Sequence, residues 1–275
     1  MKHAPPPLPE PAASGAQAVE RALSLLSLVG RGGARGAGLS ELVAAAGLPK
    51  ATTRRLLLAL IGAGLVEQDE ISRRYHLGQE AFVLGTLASR RHGVLEQAAD
   101  GLRRLSAATQ DTSFISVRHG DYVMCLHREE GSHPVRTHAL QTGDQHPLGV
   151  GAGSMAMLSA LPEDEREAVI ARLAPLYARY PGYSAEIVRE DARIAADRGW
   201  ALNPGRVVAS SWGVGVAVTY PDGRLAAALS VAAIDSRMTP DRQPEIAALL
   251  TAEAESLRKR LGRAPAPHTP ARSAG

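Results

Sequence analysis

The stretch that most constrains the fold covers residues 39–78, because two helical patterns, a glycine turn and a charged hairpin follow one another there. Ser40 is placed to cap a first helix, and Gly47 permits the left-handed backbone that ends it. Pro49 begins a second helix, at a position where its missing N–H group costs nothing. Two helices joined by a tight turn are typical of a helix-turn-helix, whose second helix enters the major groove of DNA.

The second helix, predicted over residues 50–63, has an apolar and a polar part. Its apolar residues recur at helical spacing and are predicted to face inward: Leu56, Leu57, Leu60 and Ile61. Its first turns carry the residues that we predict to contact the major groove: Lys50, Thr52, Thr53, Arg54 and Arg55. Ser40 and Pro49 belong to the predicted DNA-binding set because they begin the two helices. The alternative interpretation is an ordinary helical hairpin with a solvated, charged face.

A hairpin is predicted after the second helix, which Gly62 and Gly64 end. Its first strand begins at residue 65, and residues 73–76 form the return strand of a wing. Arg73 and Arg74 on that strand are predicted to contact the DNA backbone or the minor groove.

Charge is distributed unevenly along the chain. Residues 16–78 contain eight Lys or Arg against five Asp or Glu, whereas residues 79–262 contain twenty against twenty-two. The positive excess therefore lies in the predicted DNA-binding part, as neutralisation of phosphates requires. Because one module of this charge binds DNA weakly, we expect a dimer or a larger homo-oligomer.

The length is compatible with one large domain or with two domains of ordinary size. The 275 residues contain no apolar run long enough for a transmembrane helix, the proline-rich start lacks the apolar core of a signal peptide, and the single cysteine fits a reducing cytoplasm. In a first helix over residues 16–29, the predicted inward residues are Val19, Leu23 and Leu26, with Leu25 as an alternative. The predicted segments are a disordered arm (1–15), a winged helix-turn-helix domain (16–78), a linker helix (79–93), a second domain (94–262) and a disordered tail (263–275).

The second domain combines strands and helices, which predicts an α+β fold with a mixed antiparallel sheet and flanking helices. Turn signals such as Pro221-Asp222-Gly223 favour hairpins over a doubly wound sheet. The predicted strands are 112–118, 122–127, 135–140, 214–220 and 225–233. The predicted helices are 94–109, 149–161 after a glycine-rich start, 162–180, 184–198 and 239–261.

A glycine-rich loop, residues 149–154, precedes one of these helices. Backbone N–H groups at a helix start form a typical anion site. The loop lacks the Lys-Ser/Thr ending of a P-loop, and no acidic residue stands where a dinucleotide fold requires one. We therefore predict no nucleotide cofactor, and the open alternatives are a small carboxylate bound to these amides or tight packing of the helix on a sheet.

Five histidines lie close in sequence to the single cysteine, Cys125: His119, His127, His133, His138 and His146. None is paired at the spacing of a metal site, and no motif gives Cys125 a base, so we predict neither a metal ion nor a catalytic residue. The alternative function is a small-molecule enzyme that uses Cys125 or a histidine-bound metal.

A segment between two tryptophans, within residues 200–218, is rich in glycine and small polar residues. Asn203, Ser210 and Ser211 are predicted to converge on a ligand, with Trp212 as a wall of the site. A solvent-exposed loop is the alternative interpretation.

These segments together resemble the IclR family of bacterial transcription regulators over residues 16–262. Two segments are similar to that family's helix-turn-helix and to the end of its wing, respectively: GLPKATTRRLLLALIGAGLVE and RRYHLG. Three further segments resemble successive landmarks of its effector-binding domain: HPLGVGAGSMAML, DRGWALN and GRLAAALSVAAIDSRMT. The resemblance implies a winged N-terminal domain, a linker helix and a GAF/profilin-like sensor domain. It also implies homodimers or homotetramers that bind palindromic double-stranded DNA operators and respond to a small organic acid or aromatic metabolite.

Position by position, the resemblance implies effector contacts at seven residues: Ala152, Gly153, Asn203, Ser211, Gly213, Ser230 and Ala232. The chain departs from the family pattern at Asn203-Pro204-Gly205, at Ala232-Ala233 and at Ser154-Met155, so the resemblance implies no named effector. A DNA-binding protein without any ligand response is the remaining alternative.

Overall fold

The computed structural model describes residues 17–135 and 140–263. The chain divides into two compact units, with the division between Arg90 and Arg91. The predicted arm, the predicted tail beyond residue 263, and residues 136–139 of the predicted strand 135–140 lie outside the described residues. None of the described helices is both long enough and apolar enough to cross a membrane.

The first unit has the element order of a winged helix-turn-helix. Its helices and strands are α1 (Gln17–Arg31), α2 (Leu39–Ala46), α3 (Lys50–Gly62), β1 (Val66–Gln68), β2 (Tyr75–Leu77) and α4 (Gln79–His92). β1 and β2 pair antiparallel, and a backbone bridge from Ala37 to Tyr75 ties the loop before α2 to this ribbon. Leu25, Leu42 and Leu57 bring α1, α2 and α3 together in a shared core.

The inward face of α1 differs from its prediction. Leu25, Leu28 and Val29 are buried, whereas Val19 and Leu23 are 59 % and 54 % exposed. The buried residues and the exposed pair each recur at helical spacing, so α1 has two apolar stripes. Spacing alone does not show which stripe packs against a neighbouring helix. The prediction for Val19 and Leu23 was therefore wrong.

The second unit is an α+β domain with a six-stranded antiparallel sheet in the order β5-β4-β3-β8-β7-β6. Its elements are α5 (Val94–Thr109), β3 (Thr112–His119), β4 (Tyr122–Glu129), β5 (Gln145–Pro147), α6 (Ala152–Ser159), α7 (Glu163–Tyr177), α8 (Ala185–Arg198), β6 (Ala201–Val208), β7 (Ser211–Thr219), β8 (Leu225–Ile234) and α9 (Arg242–Leu261). The helices α5 and α9 pack on the sheet face that carries Ile115, Val214 and Leu229. The other face is covered by α6, behind which α7 and α8 pack.

The sequence prediction missed β6 and β5. β6 contains Pro204 and Gly205, which normally argue against a strand, but β6 lies at the edge of the sheet, where a proline without an N–H group is tolerated. The ladder between β6 and β7 is interrupted between Pro204 and Val208. The segment 200–218 is therefore a strand pair with an irregular end and not a solvent loop.

A buried carboxylate joins two helix ends in the second unit. Asp111, in the turn between α5 and β3, has a side chain that is 3 % exposed. It accepts hydrogen bonds from Arg237 Nε at 2.9 Å and from Arg242 Nη2 at 2.7 Å. Both guanidinium groups also donate to the carbonyl oxygen of Thr109. This cluster fixes the beginning of α9 against the end of α5.

Candidate functional site

The helix α3 carries an exposed cationic surface in the first unit. Lys50, Arg54 and Arg55 are exposed, and Thr52 is half-buried. Neither Arg54 nor Arg55 has a hydrogen bond or an ion pair with any of the described residues. Their donors are therefore available to base edges and phosphates, which is the arrangement that a recognition helix requires.

Thr53 does not belong to this surface. Its side chain is fully buried, and its hydroxyl donates to the carbonyl oxygen of Pro49 at 3.2 Å. Thr53 precedes Leu57 by four residues and Leu60 by seven, so the helical period places it on the buried stripe of α3. The prediction that Thr53 contacts DNA was wrong, because its side chain is buried and cannot be reached by a duplex.

The helix α2 begins at Leu39, and its N-cap is Gly38 instead of Ser40. The N–H group of Gly38 donates to Glu41 Oε2 at 2.9 Å, and this hydrogen bond holds the pKa of Glu41 below its usual range, with the charges of Arg74 and Arg35 acting in the same direction. Ser40 lies exposed in the first turn. Its predicted role as a cap was wrong, because the glutamate supplies the cap from inside the helix.

The two arginines predicted on the return strand of the wing lie in the turn before it. Arg73 is exposed and adopts a left-handed φ of 56°. Arg74 donates to the carbonyl oxygen of Gly36 at 3.1 Å and pairs with Glu41 at 2.8 Å. Its guanidinium therefore fastens the wing to the loop before α2, and of the two only Arg73 presents its charge outward.

The wing itself carries negative charge. Glu67, Asp69 and Glu70 are exposed on the ribbon, and together with His76 they border a shallow depression. Carboxylates repel a phosphate backbone. The wing therefore attracts DNA less strongly than the net positive charge of residues 16–78 suggested.

In the second unit a cavity lies between α6 and the sheet. It encloses about 580 Å³, its open mouth included. The seven residues implied as effector contacts all line it: Ala152, Gly153, Asn203, Ser211, Gly213, Ser230 and Ala232. The strand register explains this convergence, because Asn203 lies opposite Gly213, which in turn lies opposite Ala232. Trp212 also borders the cavity, but its side chain packs with Val214 against the core on the other sheet face, so the predicted aromatic wall is not formed by its ring.

The loop before α6 is held by side chains on both sides. Ser154 Oγ accepts from the Gly149 amide at 2.9 Å and donates to the carbonyl oxygen of Pro147 at 3.1 Å. Gly151 has a φ of 86°, a conformation that favours glycine, and its amide donates to the Tyr183 hydroxyl at 3.0 Å. The loop geometry therefore depends on its own hydrogen bonds and not on a bound ligand.

The amides of Ala152 and Gly153 are the first two of α6. The first N–H groups of a helix have no intrahelical acceptor, and they carry the positive end of the helix dipole. The helix start lies directly on the sheet, because a Cβ at Gly215 would be only 2.5 Å from the carbonyl oxygen of Ala152. Because Gly215 has no side chain, the start of α6 can approach β7 this closely. The N–H groups of Ala152 and Gly153 therefore lie at the edge of the cavity.

Three buried hydroxyl groups face the same cavity. Ser116 on β3, Ser211 on β7 and Ser230 on β8 are each at most 7 % exposed. The structure gives their hydroxyls no hydrogen-bond partner among the described residues. These hydroxyls are therefore open to the cavity, where they can form hydrogen bonds with water or with a ligand.

The rest of the lining is mostly apolar and carries no fixed charge. Among the described residues around the cavity, none has a carboxylate, an ammonium or a guanidinium group. Cys125 lines one end, and burial raises the pKa of its thiol to about 12. A thiol of this kind is a poor nucleophile at neutral pH. Phe114, Val123 and Val150 add apolar walls.

The described histidines are not clustered with other metal-ligating side chains. Within residues 17–135 and 140–263, no three His, Cys, Asp or Glu side chains are grouped as a metal ion would require. His127 Nε2 lies 3.2 Å from Glu129 Oε2, and His146 lines the cavity. His138 lies outside the described residues.

Several pocket residues escaped the sequence prediction. Phe114 and Ser116 are two positions apart on β3, so the two-residue period of a strand places their side chains on the same face. Val207 comes from the irregular end of β6, and no local pattern predicts it. Only the tertiary structure brings this residue to the cavity.

Comparison with known proteins agrees with both units. Residues 18–70 match the IclR helix-turn-helix domain, and residues 86–259 match the C-terminal domain of the bacterial transcriptional regulator IclR. The chain is 28 % identical to the HTH-type transcriptional repressor AllR of Klebsiella pneumoniae, over 93 % of this chain and 94 % of that protein.

Solved structures give the same result. A crystal structure of an IclR-type regulator from Silicibacter is 31 % identical with a TM-score of 0.78, over 89 % of this chain and 96 % of that one. An IclR homologue from Microbacterium hydrocarbonoxydans, in complex with 4-hydroxybenzoate, has a TM-score of 0.72 at 20 % identity, over 90 % of this chain and 100 % of that one. The chain therefore belongs to the IclR family of bacterial transcription regulators, with a DNA-binding helix-turn-helix domain and a C-terminal effector-binding domain.

Proposed function

We propose that the cavity under α6 binds a small organic acid as the effector of this regulator. The observation that carries the proposal is that the hydroxyls of Ser116, Ser211 and Ser230 line the cavity without a partner among the described residues, beside the open amides of α6. Amides and hydroxyls donate hydrogen bonds to a carboxylate, and the positive end of α6 favours its charge. No acidic side chain among the described lining residues opposes such a ligand.

The body of the effector is proposed to be apolar or aromatic. Phe114 supplies an aromatic surface, and Val123 and Val150 supply aliphatic surface. The Microbacterium homologue binds an aromatic acid, 4-hydroxybenzoate, which supports this choice by analogy of fold.

The test is isothermal titration calorimetry of the full chain with short aliphatic acids, benzoate and 4-hydroxybenzoate. For the acid that binds best, Ser230→Ala is expected to weaken binding by about 1–3 kcal/mol, because one hydrogen bond to a charged group is lost. Ser211→Trp is expected to abolish binding by filling the cavity. Ala209→Trp, which adds the same side chain at an exposed neighbouring position, is the control.

Equal affinities for the wild type and for Ser211→Trp would exclude this cavity as the effector site. If no acid binds the wild type while the protein still binds DNA, the ligand-insensitive alternative replaces the proposal.

DNA contacts are proposed at the exposed residues of α3 and near it. Lys50, Arg54 and Arg55 are the main contacts, with Thr52 beside them, because they are exposed and cationic or polar. A second group of exposed residues, Ser40, Pro49 and Arg73, is proposed to contact the backbone. The regulatory mode that we propose is repression, which is supported by the name of the AllR relatives.

Effector binding is proposed to change DNA binding through two arrangements of the protein. A ligand shifts such an equilibrium only if its affinities for the two arrangements differ. We therefore propose that the acid binds more tightly to one of them, and that the linker helix predicted over residues 79–93 transmits the difference.

The active form is proposed to be a homodimer or a homotetramer. On α4, Phe82 and Leu87 are 74 % and 62 % exposed, and Leu84 is 49 % exposed. A helix with this much uncovered apolar surface is typical of an interface between subunits. A second copy of the chain is the partner that fits a palindromic operator.

Phe82→Glu is expected to weaken self-association about tenfold or more, because burying a phenylalanine side chain contributes about 1.5–3 kcal/mol. Sedimentation velocity over a range of protein concentrations measures the change. The control is Ile71→Glu, which replaces an exposed apolar residue on the wing. An unchanged distribution of species in Phe82→Glu would remove α4 from the interface.

A further inference from the structure

The irregular end of β6 lies beside the proposed effector pocket and against the loop before α6. Residues 205–207, here called the strap, have no partner on β7, because the ladder passes from Pro204–Trp212 directly to Val208–Ser211. Val207 lines the cavity, and its Cγ2 lies 3.7 Å from the position that a Cβ on Gly151 would have. The strap therefore reaches from the sheet edge to the start of α6.

The strap has no ladder partner in the sheet, and the Arg206 side chain ties it to α8. Arg206 forms an ion pair with Asp191 on α8, and the two side chains are 26 % and 21 % exposed. Its guanidinium also lies 5.8 Å from the centre of the Tyr183 ring. A partly buried arginine that contacts both an acid and an aromatic ring is held more firmly than an exposed ion pair.

The same contacts reach the polar end of the cavity. The Tyr183 hydroxyl accepts from the Gly151 amide and donates to Asn203 Oδ1 at 3.3 Å, and burial raises the pKa of Tyr183 to about 12, which keeps this hydroxyl protonated. Asn203 Oδ1 also accepts from the amide of Arg206 at 3.3 Å. The strap, the loop before α6 and the lining residue Asn203 are thus joined through Tyr183.

We propose that the pair of Arg206 and Asp191 is a latch that keeps the strap closed, and that a ligand enters and leaves the pocket when this latch opens. The strap has few other restraints, since the ladder is already interrupted there and Gly205 has a φ of 73°. A segment with few hydrogen bonds opens at a lower free energy than the strands around it. The proposal rests on the effector role of the cavity, but its test needs no effector.

The test measures how fast a small reagent reaches a thiol under the strap. In a Cys125→Ser background the chain has no other cysteine, so Ser211→Cys introduces a single thiol that is nearly isosteric with the buried serine. Methyl methanethiosulfonate is the probe, and mass spectrometry follows its addition. Adding Arg206→Ala is expected to raise the labelling rate about tenfold or more, and Asp191→Asn to raise it in the same direction.

Two controls separate opening of the strap from other effects. Arg189→Ala removes an ion pair between α8 and Glu167 that does not touch the strap, and it is expected to leave the rate unchanged. Arg206→Lys, which retains the positive charge, is expected to restore part of the protection. The labelling rate is measured from pH 7.5 to 9.5. If Arg206→Ala opens the strap, the rate rises by the same factor at every pH. If the substitution instead changes the pKa of the thiol, the curve of rate against pH shifts along the pH axis.

A second thiol position shows where the pocket opens. The natural Cys125 lies on β4, four strands away from β6 in the sheet order. Arg206→Ala is expected to affect the thiol at position 211 more than Cys125. If labelling at position 211 in Arg206→Ala and in Asp191→Asn stays within about twofold of the parent at unchanged melting temperature, the latch is overturned. That result would leave the proposed effector site itself intact.

Discussion

Replacing Arg54 and Arg55 by alanine is expected to remove most of the affinity of this protein for its operator. Each arginine that reads a base contributes about 1–3 kcal/mol, and each lost phosphate contact lowers the slope of log K against log salt by about one unit. Both side chains are exposed on α3 and have no partner among the described residues, so nothing in the fold compensates for their loss.

The measurement is fluorescence anisotropy over a range of salt concentrations. The duplex is one that the wild-type protein selects from a random pool, and a scrambled duplex reports non-specific binding. Replacing both Arg189 and Arg193 by alanine removes the same charge from exposed positions on α8 and serves as the control. Operator affinity and salt slope that both stay at wild-type values would show that α3 is not the recognition helix.

Asp111→Ala is expected to lower the free energy of unfolding of the second unit by about 3 kcal/mol. Removing one partner of a buried ion pair leaves the other charge uncompensated, and such changes cost about 3–5 kcal/mol. Here two guanidinium groups, those of Arg237 and Arg242, lose their shared carboxylate. We take the lower end of the range because both side chains are about a quarter exposed and can turn toward water.

Urea denaturation followed by circular dichroism measures this loss. A domain of this size is expected to melt roughly 6–12 °C lower. Glu190→Ala breaks an exposed pair with Arg193 and is expected to cause no measurable change. If Asp111→Ala is as stable as Glu190→Ala, the cluster does not hold the start of α9.

The helices and most strands could be predicted because their signals are local. Gly47 ends α2 with a left-handed φ of 63°, and Pro49 precedes α3, as the sequence indicated. The hairpin between β7 and β8 follows from the turn at Pro221-Asp222-Gly223. Each of these features depends on the backbone preferences of one or two residues, which do not require knowledge of the rest of the fold.

Errors arose where the decisive partner is distant in sequence. Arg74 was predicted to contact DNA, but it is bound to Gly36 and Glu41, more than thirty positions earlier in the chain. β6 was missed because Pro204 disfavours a central strand, and whether a strand is central or at the edge depends on the whole sheet.

The sequence by itself determined that a cationic helix follows a tight turn, that a sheet-and-helix domain comes after it, and which seven residues resemble the effector contacts of a known family. Only the three-dimensional fold shows that those seven residues share a cavity, that the hydroxyls of Ser116, Ser211 and Ser230 have no partner among the described residues, and that Arg206 pairs with Asp191 beside the interrupted end of β6. The physical reason is range: dihedral preferences and periodicity act over a few residues, whereas burial and charge pairing depend on strand register and helix packing across the whole domain.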